Sequence, residues 1–336
     1  MKISVDGGSF CTPENNQFGN YTFSSSLIGA LSRYDKENKY TIYSFCNFPK
    51  DTSLNKNFTI KKLLPKYFWS KVRVAIEETI NKKDIYLALN QSIPMMSFSK
   101  IISFSHGLSF HFYPGLYKNF SKLNDQLEEM IYDSDKIIVS STRVKSELIE
   151  IEGKSSKKIH VIPYGIPADM IKTEKVKANS GEKYFMHVGM DHPIKNVDFI
   201  IKAFKSLKNG KTMNGHKLYL VGCKRRINDS HIKIVPYANR AQLKKLYRGA
   251  TATLTSSFYE SFNLPVLESL SQGTKVVGLR QAIVPELRPY VALADDLNEF
   301  RDLMKKTVIN PGFRNTKKII KEFAWENYVK KLVKLY

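Results

Sequence analysis

Residues 258–279 have the sequence FYESFNLPVLESLSQGTKVVGL, which predicts a loop, a short helix and a strand. The run ATATLTSS just before it is apolar and β-branched, and it predicts a buried parallel strand that ends near Ser257. Pro265 stands where proline is favoured, in the first turn of a helix, and Gly273 supplies the left-handed residue that ends one. Residues 275–279 then predict the next buried strand. Strands and helices that alternate in this way are typical of an α/β fold.

The start of the predicted helix has the chemistry of an anion site. Backbone amides cluster there at the positive end of the helix dipole, which favours a phosphate. The amides belong to Phe262, Asn263, Leu264 and Val266. Glu260 lies in the loop after the strand, where open α/β sheets bind ligands, and Glu268 lies about one turn into the helix, where a carboxylate suits a ribose diol. This arrangement predicts a nucleotide-sugar site, although the spacing alone equally fits two surface glutamates beside an ordinary helix.

The residue types in this stretch carry a family resemblance. The sequence YESFNLPVLE (259–268), followed by QGTKVV (272–277), resembles the signature of glycosyltransferase family 4, in which two glutamates are separated by seven residues. Ser261 and Asn263 stand where that family usually has glycine. The resemblance implies an α/β chain of the GT-B fold, with two Rossmann-like domains facing across a cleft. It also implies a retaining hexosyltransferase that uses a nucleoside diphosphate sugar as donor, with no metal and no cofactor.

The resemblance assigns roles to residues in the second half of the chain. The substrate-binding residues implied there are Lys195, Pro236, Glu260, Phe262, Asn263, Leu264 and Glu268. Lys195 would neutralise the diphosphate, and Pro236, at the end of the strand KIVPY, would meet the base through main-chain groups. Met190 stands where an arginine is usual, so one positive charge is missing there. Residues 224–226 (KRR) either replace that charge or form a solvated turn.

The first half of the chain contains two further candidates. The strand KISV (2–5), a loop with Gly19, a helix and the strand KYTIYSF (39–45) resemble the start of the family's first domain. Gly19 would let the backbone approach the donor diphosphate, or it belongs to an ordinary strand-to-helix turn. His106 follows the strand KIISFS (100–105), and by resemblance it contacts the transferred sugar or the acceptor. The implied catalytic residues are therefore His106, Lys195 and Glu260.

The alternation of strands and helices predicts two domains and a terminal helix. Residues 1–170 are predicted as an N-terminal Rossmann-like acceptor domain and 171–315 as a C-terminal Rossmann-like donor domain, with a polar linker over 168–182. Residues 316–336 are predicted as a helix that crosses back to the N-terminal domain. The acidic sequence Asp133-Ser134-Asp135 precedes a buried strand with no further carboxylates nearby, so no metal site is predicted there.

The chain is strongly basic, with a net charge of +22. Residues 1–170 hold 22 Lys and Arg against 17 Asp and Glu, a net charge of +5, and the remaining residues account for +17. Such a charge attracts polyanions, or it reflects a nucleotide-composition bias of the genome. The helix predicted over 65–83 is basic and contains Trp69, so it either makes a peripheral contact with anionic lipid or packs its apolar side on the core, and the second is favoured.

Cysteine content and the N-terminus bear on localisation. Cys11, Cys46 and Cys223 are scattered and odd in number, which predicts no disulfide and a reducing compartment. The N-terminal sequence MKISVDGG lacks the apolar core of a signal peptide, and no run approaches the roughly 18 apolar residues of a membrane span. We expect a cytoplasmic protein, with peripheral attachment at the inner face of the membrane as the alternative.

Together these patterns predict a hexosyltransferase that acts on a glycan or a lipid-linked acceptor, in the synthesis of a cell-envelope polysaccharide or glycolipid. Its partners would be the nucleotide-sugar donor and that acceptor. The alternative is a non-catalytic nucleotide-sugar-binding protein of the same fold, because the arginine missing at Met190 would weaken stabilisation of the leaving diphosphate. A nucleic-acid-binding protein is suggested by net charge alone, and since no nucleic-acid module is recognised, no specific nucleic-acid partner is predicted.

Overall fold

A computed structural model describes residues 1–13, 19–48, 54–91, 93–153, 156–171, 181–207, 210, 213, 215–310 and 316–336. The chain divides into two compact units. The first unit contains Met1–Gly165 together with Ala324–Tyr336, and the second unit contains Ile166–Phe323. The sequence analysis places this boundary a few residues later, between 170 and 171. Most of the linker predicted over 168–182, namely residues 172–180, lies outside the described residues.

The first unit is built on a parallel sheet. Its described strands are β1 (Lys2–Asp6), β2 (Lys39–Ser44), β3 (Phe58–Lys62), β4 (Ile85–Ala88), β5 (Lys100–Ser105), β6 (Lys136–Val139) and β7 (Ile159–Val161). The helices described between them are α1 (Gly19–Tyr34), α2 (Val74–Ile80), α3 (Ser109–Phe112), α4 (Phe120–Asp133) and α5 (Thr142–Glu152). The strand order is β3-β2-β1-β4-β5-β6-β7, so the winding direction reverses between β1 and β4. That reversal is the feature of a Rossmann-like sheet.

The second unit repeats this design. Its described strands are β8 (Lys183–Val188), β9 (His216–Val221), β10 (Ile232–Val235), β11 (Ala252–Thr255), β12 (Val276–Leu279) and β13 (Ala292–Ala294). Its described helices are α6 (Ala168–Ile171), α7 (Val197–Leu207), α8 (Arg240–Gly249), α9 (Leu264–Ser271), α10 (Leu297–Ile309) and α11 (Thr316–Glu322). The strands are parallel in the order β10-β9-β8-β11-β12-β13, which reverses between β8 and β11.

Burial explains why these segments form strands. Every residue of β4, β11 and β12 is buried, as expected for parallel strands covered by helices on both faces. In the second unit the core joins Phe185 of β8 to Ile200 and Phe204 of α7 and to Phe300 of α10. The α/β prediction, with a Rossmann-like sheet in each half of the chain, is confirmed.

The end of the chain differs from its prediction. The single helix predicted over 316–336 is two helices, α11 in the second unit and α12 (Trp325–Val333) in the first. Ala324 lies between them with extended backbone (φ −76°, ψ 136°), which interrupts the helical hydrogen bonds. In the first unit α12 packs on α1, where the Phe23 ring lies 6.0 Å from Trp325 and 6.1 Å from Tyr328.

The expectation that the cysteines form no disulfide is wrong for one pair. Cys11 and Cys46 are disulfide-bonded, with their Cα atoms 5.5 Å apart. Cys11 lies in the turn after β1, and Cys46 lies just after β2, the parallel neighbour of β1. Sheet pairing therefore brings together two cysteines that are 35 residues apart in sequence. The inference of a reducing compartment from cysteine usage loses its basis.

The helix predicted over 65–83 is shorter than expected, and its apolar side chains are divided between the core and the surface. A turn of π-helix, Trp69–Arg73, leads into α2. Trp69, Val74 and Ala75 are buried, which agrees with the favoured core-facing interpretation. The other predicted apolar members, Phe68, Val72 and Ile76, are exposed, which contradicts it.

Candidate functional site

Asn263 shapes the start of α9. Its backbone is in the left-handed region (φ 68°), where glycine is favoured and asparagine is the best-tolerated other residue. Its side-chain amide donates to Thr255 Oγ1 at 3.1 Å and to the Ala282 carbonyl at 3.3 Å, while its Oδ1 caps the Val266 amide at 3.4 Å. The asparagine in the glycine position therefore fits the turn. The Val266 amide is occupied by this cap instead of facing a phosphate.

Hydrogen bonds hold the loop after β11 against the loop after β8. The Ser256 hydroxyl donates to the Asn196 carbonyl at 2.8 Å, and the Phe258 amide donates to the Ile194 carbonyl at 2.9 Å. Asn196 has a left-handed backbone (φ 49°), which ends the short turn that carries Lys195. These contacts fix the distance between two loops that are about 60 residues apart in sequence.

Lys195 and Glu260 meet where these loops join. Lys195 Nζ lies 2.7 Å from Glu260 Oε1, and the Ser257 hydroxyl donates to the same oxygen at 2.7 Å. The Lys195 side chain is 20% exposed and that of Glu260 12%, so the pair is partly shielded but reachable. Two of the predicted catalytic residues are thus in direct contact beside the start of α9.

His187, which no sequence pattern had indicated, interacts electrostatically with both members of this pair. Its Nδ1 donates to the Leu254 carbonyl at 3.0 Å, and because its ring is buried, its pKa is lowered to about 4. Its Nε2 faces Gly189, where an added Cβ would lie 3.1 Å away. The imidazole is therefore neutral at physiological pH, and no sequence motif marked it because its surroundings come from distant segments.

Of the three residues considered as a replacement for the missing charge, Lys224, Arg225 and Arg226, the structure pairs Arg225 with two carboxylates. Arg225 binds Asp191 through Nε at 2.9 Å and Asp198 through a terminal nitrogen at 2.6 Å. The end of β9, just before Arg225 in sequence, passes very close to the loop after β8. A Cβ on Gly222 (φ 88°) would lie 2.6 Å from the Gly189 carbonyl oxygen. Two carboxylates thus neutralise Arg225, while Met190 remains at the loop surface with 36% of its side chain exposed.

Glu268 is deeply buried and has partners of its own. It is 3% exposed, its Oε1 lies 2.7 Å from an Arg240 terminal nitrogen, and its Oε2 accepts from the Tyr247 hydroxyl at 3.1 Å. Burial raises the pKa of Glu268, and the adjacent Arg240 opposes that rise. Arg240 also binds Asp169 at 2.6 Å. Glu268, which the family resemblance implies as the residue that binds ribose, is therefore held in a network that no sequence pattern indicated.

The remaining predicted residues of the second unit differ in exposure. Phe262 is 1% exposed, and its ring packs 6.1 Å from that of Phe323. Leu264 begins α9 and is partly exposed. Pro236 is exposed just after β10, and its neighbours Val235 and Tyr237 line a cavity of about 340 Å³ between the strands and α8.

In the first unit, His106 uses both ring nitrogens within the protein. Its Nε2 donates to the Leu89 carbonyl at 2.5 Å, so its Nδ1 accepts from the Tyr164 hydroxyl at 2.8 Å. Burial lowers the His106 pKa to about 4, and the ring is neutral. Gly19 is the exposed first residue of α1, and a Cβ there would meet nothing within 4 Å. The residues just before Gly19, 14–18, lie outside the described part of the chain.

Part of the second unit matches a known family model. Residues 170–287 match the family model described as glycosyl transferases group 1. That range includes Lys195, Glu260 and Glu268. The matched range lies within the second unit. The resemblance drawn from the glutamate signature is confirmed at this level.

The curated relatives of this chain are distant. An uncharacterized glycosyltransferase of Methanocaldococcus jannaschii is 25% identical over 66% of this chain and 65% of its own length. O-antigen chain mannosyltransferase B of Escherichia coli is 22% identical over 64% and 63%, respectively. D-inositol 3-phosphate glycosyltransferase of Mycolicibacterium smegmatis is 21% identical over 62% and 54%. The chain thus spans about half to two thirds of the length of these relatives.

Solved structures share the fold over the whole chain. Sucrose-phosphate synthase from Thermosynechococcus elongatus has a TM-score of 0.72 at 14% identity, covering 100% of this chain and 98% of that one. Anabaena HepE in complex with UDP and glucose has a TM-score of 0.73 at 13% identity, covering 100% and 99%. WaaG, a glycosyltransferase involved in lipopolysaccharide biosynthesis, has a TM-score of 0.68 at 12% identity, covering 99% and 95%. The fold of this chain is GT-B.

Proposed function

We propose that this chain transfers a hexose from a nucleoside diphosphate sugar to an acceptor hydroxyl and retains the anomeric configuration. The observation that carries the proposal is the 2.7 Å contact between Lys195 Nζ and Glu260 Oε1 beside the first turn of α9. A cation, a carboxylate and a helix N-terminus lie together at the carboxyl end of a parallel sheet, where such sheets bind ligands. This combination suits a diphosphate with a sugar attached.

The hard step is departure of the diphosphate, because negative charge grows on its oxygens as the glycosidic bond breaks. Lys195 would stabilise that charge together with the α9 dipole and the amides of Asn263 and Leu264. Glu260 would accept hydrogen bonds from hydroxyls of the donor sugar and so hold the reacting carbon in position. No metal ion is required in this scheme, since the positive charge comes from Lys195 and from the helix.

Glu268 and His106 have narrower roles in this proposal. Glu268 would accept hydrogen bonds from the ribose, with Arg240 keeping its carboxylate ionised despite burial. His106 would act as a neutral residue that shapes the wall near the transferred sugar, because its Nε2–H and its Nδ1 lone pair are both used by protein groups. It is not assigned as a general base. Pro236 would mark the main-chain contact with the base, and Gly19 the backbone approach to the diphosphate.

A glycan or a lipid-linked glycan is the proposed acceptor, in the synthesis of a cell-envelope polysaccharide or glycolipid. The support is that relatives are named for O-antigen chain synthesis, and a structural neighbour for lipopolysaccharide biosynthesis. Their sequence identity to this chain is 25% or lower, so the acceptor is carried over as a class of molecule and not as a single compound.

A thermal-shift screen of nucleoside diphosphate sugars tests the donor class, because a ligand that binds only the folded protein raises its Tm. The donor that gives the largest shift is then used to measure transfer and donor hydrolysis. We expect Glu260→Ala to lower turnover at least about 10²-fold, the scale of one key electrostatic contact. Asp302→Ala is the matched control, because it removes a carboxylate 3.0 Å from a lysine elsewhere in the second unit. Near-normal turnover of Glu260→Ala would refute the assignment.

The non-catalytic alternative has one observation in its favour. Met190 stands where an arginine is usual, and the nearby Arg225 is neutralised by Asp191 and Asp198. If the protein bound a nucleotide sugar but lacked sufficient positive charge for catalysis, the screen would show a donor shift with no hydrolysis and no transfer. Met190→Arg should then create turnover where none existed.

A further inference from the structure

One helix of the first unit exposes part of its apolar side chains and buries its acids. Across the π-helical turn and α2, Val72, Ile76 and Ile80 recur at four-residue spacing, which places them on one side. They are 39%, 46% and 70% exposed. Glu77 and Glu78 of the same helix are 3% and 0% exposed. A surface helix ordinarily buries its apolar stripe and exposes its acids, so this one is organised toward an apolar partner.

The buried carboxylates hold the helix in that orientation. Glu78 accepts hydrogen bonds from the Tyr43 hydroxyl at 2.7 Å and from the Ser99 hydroxyl. Glu77 accepts one from Lys61 Nζ at 2.5 Å. Rotating the helix to hide its isoleucines would break these bonds and take Glu78 away from the buried hydroxyls of Tyr43 and Ser99, which is costly. The exposed apolar stripe is therefore a stable feature of the first unit.

Neighbouring segments extend the stripe into a wider surface. The Met95 amide donates to the Lys71 carbonyl at 2.9 Å, which joins the segment 93–98 to the helix. Lys82 Nζ lies 4.6 Å from the centre of the Phe98 ring. We call the exposed apolar residues of these segments the apolar face; they are Leu64, Tyr67, Phe68, Val72, Ile76, Ile80, Met95, Met96 and Phe98. Exposed apolar side chains on adjoining segments indicate an interaction site.

The charges around the apolar face are positive. Residues 58–83 contain seven Lys and Arg against two acids, a net charge of +5, and both acids are the buried Glu77 and Glu78. Lys61 is paired with Glu77 and Lys71 with Glu129, and Lys66, Lys82 and Lys83 are among the basic residues that add to the positive charge of the segment. A second copy of this chain would bring the same positive charge to the contact, which opposes self-association. The fitting partner combines an apolar interior with an anionic surface.

We propose that the apolar face docks on a lipid bilayer containing anionic headgroups. Tyr67, Phe68 and the isoleucines would enter the boundary between headgroups and acyl chains, while Lys66, Lys82 and neighbouring lysines contact the phosphates. No helix in the described ranges has the length and apolar content to cross a membrane. The bilayer would then lie beside the first unit, which corresponds to the predicted acceptor domain. This inference does not depend on the donor site.

Flotation of the full chain with vesicles tests the apolar part of the surface. Binding is measured with phosphatidylcholine alone and with phosphatidylglycerol added. We expect the double variant Tyr67→Ser/Ile80→Ser to bind the mixed vesicles at least about tenfold more weakly, because it removes two exposed anchors that are 82% and 70% exposed. The matched control Tyr34→Ser/Ile309→Ser removes exposed residues of the same types outside the apolar face and should bind as the unaltered chain does.

A second pair of variants tests the charge. Replacing Lys66, Lys82 and Lys83 by glutamine should weaken binding to the mixed vesicles about 10²-fold, at about fivefold for each lysine near an anionic surface. The control replaces Lys202, Lys306 and Lys331 by glutamine, so it loses the same charge elsewhere and should retain binding.

Three results would overturn the proposal. The first is equal binding of the unaltered chain to both vesicle types, and the second is full binding by the Tyr67→Ser/Ile80→Ser variant. The third is a dimer of the unaltered chain, measured by light scattering, that this variant converts to a monomer without any change in lipid binding. Because neither assay contains a nucleotide sugar, these results leave the proposed transfer reaction to its own test.

Discussion

Replacing Arg240 by methionine would remove the cation that faces Glu268 in the second unit. Arg240 contributes one terminal nitrogen, 2.7 Å from Glu268 Oε1, and methionine preserves most of the apolar length of the side chain. The Glu268 side chain is 4% exposed, so the carboxylate left behind has little access to water. The hydrogen bond from Tyr247 would then be its main remaining stabilising contact among those described.

The structure sets the size of the effect. Two charges about 4 Å apart attract by about 4 kcal/mol at the effective dielectric of a partly shielded site. Removing one member of a buried pair typically costs about 3–5 kcal/mol. The Arg240 side chain is 39% exposed, so water replaces part of its contribution, and we expect a loss of about 2–3 kcal/mol. For a unit of this size, that loss lowers Tm by about 5–10 °C.

Urea unfolding of four proteins isolates the interaction: the unaltered chain, Arg240→Met, Glu268→Gln and the double variant. We expect a coupling free energy of about 2 kcal/mol, because the double variant contains no buried charge at this position. Lys245→Met is the matched control on the same helix, where an exposed lysine is lost, and it should change stability by less than about 0.5 kcal/mol.

The pH dependence supplies an independent check. Burial raises the Glu268 pKa above 4.5 and Arg240 opposes the rise, so removing Arg240 raises the pKa further. A folded-state pKa above the unfolded value means that the folded state binds more protons, so stability falls as pH rises through that window. The loss of unfolding free energy caused by Arg240→Met should therefore be larger at pH 8 than at pH 5. Additive single effects, or a deficit that is the same at both pH values, would refute the assigned network.

Two further predictions concern residues around the donor site. Burial lowers the His187 pKa from 6.5 to about 4, so the unfolded state binds more protons between these values, and stability should fall by about 2 kcal/mol between pH 7 and pH 5. His187→Gln should remove that part of the slope in urea unfolding, and an unchanged slope would contradict the assignment. At Asn263, with φ 68°, Asn263→Gly should cost about 1 kcal/mol and Asn263→Ala about 2–3 kcal/mol, because alanine adds left-handed strain to the lost cap. If thermal unfolding gives Asn263→Ala a higher Tm than Asn263→Gly, the left-handed backbone conformation is not required at this position.

Much of the fold was accessible from sequence because its signals are local. Buried parallel strands leave continuous apolar runs, and Pro265 and Gly273 mark a helix start and end without reference to any distant residue. The same locality made Glu260 a candidate, since the loop, the strand before it and the helix after it are consecutive. Lys195 required the family resemblance, because its partner is 65 residues away.

Other features depend on contacts between distant segments. The pairing of Glu268 with Arg240 joins residues on different helices, and nothing near either residue in sequence indicates it. The pairing of Cys11 with Cys46 follows from the adjacency of β1 and β2. His187 became notable only when Leu254 supplied its hydrogen-bond acceptor and the surrounding residues buried the ring.

The orientation of α2 shows where sequence reasoning reaches its limit. Its apolar and basic residues allowed two interpretations, contact with anionic lipid or packing of the apolar side on the core, and the second was favoured. Tyr43, Ser99 and Lys61 reverse that preference by satisfying Glu77 and Glu78 in the interior. The sequence by itself determined which segments form strands and helices and which loop bears the glutamate signature, because those depend on neighbouring residues. Only the tertiary structure decided which charges are buried and which apolar side chains are exposed, because hydrogen-bond partners from elsewhere in the chain set the free energy of burying each charge.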